Sequence, residues 1–179
     1  VEIKKGYNIV PASTLVSVSS VCGIVGTVFS GLISDKMFRS NRTIPACLSS
    51  LLNLAALALF LFGPRQCEIL DIISMILFGI SIGILLCFLG GLMAIDIAPK
   101  EATGAAVGVI GIASYAAAGL QDVVSGFLIE SRKAIVDGNP VYDFSAIRIF
   151  WLSAALVSLL SLLIIWGARK KHVSSNIHY

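Results

Sequence analysis

The sequence predicts an all-α bundle of about five membrane-crossing helices, and two observations carry that prediction. Hydrophobic residues make up 57% of the 179 positions and charged residues only 13%, a balance foreign to soluble domains. Apolar runs of roughly 20 residues, the length that crosses a bilayer as a helix, recur with almost no ionisable residue inside them. A backbone in hydrocarbon must satisfy its own hydrogen bonds, so each run is a helix.

The spans are expected at about 11–33, 44–62, 72–95, 103–129 and 147–167. The first opens with Pro11, whose missing N–H costs nothing at a helix start, and the second stops at Gly63-Pro64, a strong breaker pair. Asp96 and Pro99 end the third. A short polar turn leads into the fourth, and the fifth runs into a basic tail, 168–179, that carries Arg169, Lys170, Lys171 and His172. The chain begins at Val1 without methionine, and residues 1–8 lack the basic start and apolar core of a signal peptide, so it reads as a piece of a longer protein.

With an odd number of spans the termini lie on opposite sides. Lys36, Arg39, Arg42, Lys100, Arg169, Lys170 and Lys171 share one side, which the positive-inside rule makes cytoplasmic. Lys4, Lys5, Arg65, Arg132, Lys133 and Arg148 fall on the other, so orientation rests on clustering in the first loop and the tail. The Asn41-Arg42-Thr43 sequon is then a chance match.

The net charge of +3 is small and dispersed over helix ends, which points to lipid headgroups and not to nucleic acid. Cys22, Cys47, Cys67 and Cys87 lack metal-ligand spacing. His172 and His178 sit in the tail, and no nucleophile triad, phosphate-cradling loop or paired-carboxylate site appears. No enzyme, metal or cofactor is expected.

Two regions carry candidate chemistry. The first is the loop Gly31-x-x-x-Asp35-Lys36-x-x-Arg39-x-x-Arg42, a charged hinge between two apolar runs. The second lies on the fourth span, where Gly104, Gly108, Gly111, Tyr115 and Asp122 recur at steps of three, four and seven and so share one stripe. Its glycines suit close helix packing. A carboxylate inside a span is expensive and normally faces a bundle interior or a water-filled cavity, and the Tyr115 phenol needs a hydrogen-bond partner. Gly108, Gly111, Tyr115 and Asp122 are therefore the candidate cavity-lining residues. Ser20, Asn53 and Ser81 are expected to bond neighbouring helices or backbone carbonyls.

The loop Gly31-x-x-x-Asp35-Lys36-x-x-Arg39 resembles the signature of the major facilitator superfamily, which recurs between the eighth and ninth helices of its members. Together with Asp96-Ile97-Ala98-Pro99-Lys100-Glu101-Ala102-Thr103-Gly104 and the glycine-rich span through Tyr115, the chain is similar to the organophosphate:phosphate antiporter family of glycerol-phosphate and hexose-phosphate transporters. The resemblance implies helices eight to twelve of a twelve-helix fold in a bacterial inner membrane, where two six-helix halves rock about a midplane site. The implied partners are the bilayer, a missing N-terminal half and a small anionic phosphorylated substrate. The family's main phosphate-binding arginines, on the first and seventh helices, would lie outside this chain.

Ser20 stands where several relatives carry an acid, Leu85-Leu86 where they often carry Gly-Pro, and 130–146 is long before the last span. The substrate therefore stays open. A sensor of sugar phosphate on the same fold, signalling to a kinase, keeps the same loop, as would a proton-coupled exporter, against which the 96–104 string argues.

Overall fold

A computed structural model describes residues 9–37, 42–64, 67–136 and 139–175, with side chains described at 13–32, 34, 36, 42–64, 67–135 and 142–167. Arg39 and the side chain of Asp35 lie outside the described set, as do residues 1–8 and the side chains of the basic tail. The described residues form five helices long and apolar enough to cross a membrane, as the composition predicts.

Helix α1 spans Ile9–Met37, α2 Thr43–Phe62 and α3 Glu68–Cys87. A π turn, Phe88–Leu92, carries α3 on into the short α4, Met93–Ile97. After a 3-10 turn at Lys100–Ala102, α5 runs Thr103–Glu130 and α6 runs Ser145–Ser175.

Proline sets several ends. Pro11 and Pro45 sit in the first turns of α1 and α2, where no intrahelical N–H is called for. Pro64 and Pro99 force the residue before them out of the helix: Gly63 and Ala98 are extended, with ψ of 155° and 143°. Glu68 and Asp71 lie in the first turn of α3, where the helix dipole favours carboxylates, and Asp71 is fully buried.

The tightest contact joins α1 to α3. A methyl group built on Gly79 would stand 2.1 Å from the Ser19 carbonyl oxygen, one on Gly83 2.1 Å from that of Gly23, and one on Gly26 2.5 Å from that of Ile80. Backbones this close leave no room for side chains, so glycine is obligatory there. Thr27 Oγ1 closes the seam, donating to the Gly83 carbonyl at 3.1 Å.

Among the described residues the close-packed glycines are thus those of α1 and α3. Gly104, Gly108 and Gly111, read from sequence as a packing stripe, meet nothing within 4 Å of an added methyl group. Even spacing marks a face of a helix without saying what lies against that face.

Helix α2 packs on α3 and α6, and the fully buried Phe88 ring sits with Ala46 and Leu162 at the centre of the core. The 130–146 stretch holds a feature that sequence reading missed, an antiparallel hairpin of β1 (Lys133–Val136) and β2 (Asn139–Tyr142). Its register pairs Lys133 with Tyr142 and Val136 with Asn139.

Candidate functional site

At one end of the bundle Arg42, just before α2, meets the end of α4. Arg42 Nε donates to Asp96 Oδ2 at 2.9 Å, joining residues 54 positions apart. The Arg42 side chain is only 15% exposed and that of Asp96 37%, so this pair is better shielded than an ordinary surface bridge. Lys36 is exposed and Gly31 half-buried. Asp96 was read from sequence as the end of a span; its position one turn before Pro99 was the available signal for a helix-end charge.

At the opposite end, ion pairs join Lys133 Nζ to Glu130 Oε1 at 2.9 Å and Arg132 to Asp143 at 3.6 Å. The Lys133 ammonium also lies 5.8 Å from the Tyr142 ring centroid and the Arg148 guanidinium 6.0 Å from that of Phe62. Asp143 caps α6, accepting from the Ser145 N–H at 2.9 Å and the Ser145 hydroxyl at 2.7 Å. Those bonds hold its carboxyl below the usual range, while the hydrogen bond and charge of Glu130 raise the Lys133 ammonium.

Between the two ends runs α5, whose one buried residue is Ser125. Trp151 Nε1 donates to Ser125 Oγ at 3.0 Å and pins this part of α5 to α6. Tyr115 is 84% exposed and Asp122 is exposed. Neither has a hydrogen-bond partner among the described residues, although both lie within a helix long and apolar enough to cross a membrane. Gly108 is exposed and Gly111 half-buried on the same stripe.

A cleft of about 490 Å³ opens between α2, α3, α5 and α6, lined by Asn53, Phe60, Met75, Phe78, Gln121 and Trp151 among others. A second groove, about 330 Å³, follows the α1–α3 seam past Ser19, Ser20 and Thr27. Ser20, Asn53 and Ser81 bond as expected. Asn53 Nδ2 donates to Ser81 Oγ at 3.3 Å, Ser81 to the Phe78 carbonyl at 2.9 Å and Ser20 to the Val16 carbonyl at 3.2 Å.

A bundle of long apolar helices, with an ion pair bridging helix ends and an unsatisfied polar face on one span, marks a multi-pass membrane protein. Residues 2–121 match the Major Facilitator Superfamily, and the chain belongs to that family. It is 29% identical to the glycerol-3-phosphate transporter of Bacillus subtilis (strain 168) over 157 residues, 84% of this chain and 32% of that protein. Its identity to the probable galactarate/D-glucarate transporter GudP of Escherichia coli (strain K12) is 25%, over 93% of this chain and 35% of the relative. The membrane sensor protein UhpC of the same organism is 31% identical over 64% of this chain. These relatives bear out the resemblance drawn from the loop and the 96–104 string. The chain spans about a third of the length of the first two relatives.

Proposed function

We propose that this chain is the C-terminal part of a secondary transporter that exchanges an organic phosphate, a sugar phosphate or glycerol phosphate, for inorganic phosphate by alternating access. The observation that carries this reading is the exposed Tyr115 and Asp122 face of α5. Lipid cannot satisfy a phenol and a carboxylate at membrane depth, so this face meets a water-filled cavity between two halves of the complete protein. Tyr115 donates to the substrate, and Asp122 tunes selectivity by repelling an anionic head or by pairing with a base from the other half. Gly108 and Gly111 keep the wall smooth. The positive loop lies in the cytoplasm, where the Arg42 and Asp96 pair stabilises one access state, with Gly31, Asp35, Lys36 and Arg39 in the same gating segment. The glycerol-3-phosphate transporter similarity over most of the chain supports the substrate class.

The similarity to UhpC supports a second reading, a sugar-phosphate sensor on the same fold that signals to a kinase. The test of both is the complete protein reconstituted in phosphate-loaded liposomes and challenged with glycerol 3-phosphate, glucose 6-phosphate or D-glucarate. Phosphate efflux driven by an organic phosphate and not by D-glucarate is expected. Binding of organic phosphate without efflux would favour the sensor, and efflux with D-glucarate alone would contradict the substrate class.

A further inference from the structure

We propose that the π turn at Phe88–Leu92 is a hinge, about which α4 and the attached start of α5 swing against a rigid body made of α1, α2 and α3. The use of that swing in transport rests on the carrier reading above; the hinge itself stands on local geometry.

The turn departs from α-helical bonding, because the Met93 N–H bonds to the Phe88 carbonyl five residues back. It contains Gly90 and Gly91. A methyl group built on either would meet nothing within 4 Å. Packing therefore does not call for glycine there, and in a helix glycine costs about 0.5–1 kcal/mol relative to alanine. What glycine supplies at this point is backbone freedom.

The two sides of the turn are held differently. Upstream, Gly79 and Gly83 lie backbone to backbone against Ser19 and Gly23. Phe88 is fully buried against Ala46 and Leu162. That part of the span cannot slide without overlap, because close-packed interiors switch between discrete arrangements instead of deforming smoothly. Downstream, α4 packs on the start of α5 and carries Asp96, whose ion pair to Arg42 ties it to the start of α2. The connection from α4 to α5 is a short turn, closed by the Ala102 N–H and the Thr103 hydroxyl on the Pro99 carbonyl. Motion of α4 is therefore passed to α5, the helix that carries Tyr115 and Asp122.

Straightening the π turn into α-helix turns everything beyond it about the span axis. Asp96 would then leave Arg42, and the start of α5 would follow. The ion pair is the latch of this hinge, and the glycine pair lowers the barrier to its movement.

The test uses the complete protein with Cys22, Cys47, Cys67 and Cys87 replaced, and spin labels at Val21 on α1 and Ile95 on α4, which are 61% and 49% exposed. Two distance populations are expected, their ratio shifted by glycerol 3-phosphate. The double variant Gly90→Ala/Gly91→Ala should unfold no lower than the wild-type temperature, since both methyl groups fit and alanine favours the helix, yet show one population and at least tenfold slower phosphate exchange. Asp96→Asn, with the glycines intact, should keep both populations and enrich the unlatched one. Two populations and wild-type exchange in the double alanine variant would overturn the hinge, as would a single distance in the parent with and without substrate. Two distances that collapse on alanine substitution, in a parent that exchanges no phosphate, would leave the hinge standing and remove the transport reading instead.

Discussion

Glycine does opposite work at Gly79 and Gly108, though both sit in membrane-spanning helices. At Gly79 the neighbouring backbone occupies the place of a side chain, with the Ser19 carbonyl oxygen 2.1 Å from where a Cβ would sit; at Gly108 the space is open. Gly79→Ala must therefore push α1 and α3 apart, at the cost typical of overpacking, about 1–3 kcal/mol. Gly108→Ala should not lower stability. Thermal unfolding of the complete protein in detergent, followed by tryptophan fluorescence, checks the contrast: a clear fall in Tm for Gly79→Ala and none for Gly108→Ala. Equal shifts would mean that the α1–α3 seam yields easily. Sequence reading did not single out the seam glycines of α1 and α3, and a stripe on one helix carries no information about its partner. The Gly79-x-x-x-Gly83 spacing within an apolar run was the signal available for the seam.

At the scale of elements, the five long helices were legible because hydrocarbon leaves the backbone little choice, while the hairpin was not. Its strands are four residues each, too short for a period-two pattern to stand out. Their pairing, flanked by the Arg132 and Asp143 ion pair, is a contact that only the folded chain brings together.

Those contacts make the hairpin pH-sensitive in a direction that can be worked out. Asp143 is held below its ordinary carboxyl value by Ser145, so its contribution is full above the unfolded value and lost as pH falls through the lowered folded one. Lys133 is held above its ordinary value by Glu130, so its contribution is full below the unfolded value and lost only as pH rises through the raised folded one. Both act at neutral pH. Hydrogen-exchange protection at Lys133–Val136, corrected for intrinsic rates, should be flat around neutrality and fall below about pH 4. Asp143→Ala should weaken neutral protection and flatten that acid limb. Identical acid limbs in the two proteins would show that the cap does not order the hairpin.

For the whole molecule, Arg42 and Asp96 join the first loop to the end of the third span, while Tyr115 and Asp122 stand on an exposed face of the fourth. The loop signature and the polar stripe were both legible, since charges and phenols within apolar runs stand out from composition alone. The ion-pair partner was not, because two residues 54 positions apart meet only through the packing of α2 on α3.

The central claim is that the Tyr115 and Asp122 face lines the substrate path. It is tested most directly by single cysteines at 115 and 122 in the complete protein, with the native cysteines, Cys22, Cys47, Cys67 and Cys87 among them, replaced. A small hydrophilic thiol reagent should modify both, and saturating glycerol 3-phosphate should slow that modification at position 115 at least tenfold. Tyr115→Phe, which removes the donor and keeps the ring, should weaken substrate binding by a similar factor, about 1.4 kcal/mol for one hydrogen bond. Cysteines at both positions that stay unreactive in inward-facing and outward-facing states alike would mean that this face is covered by another helix, and would contradict the account.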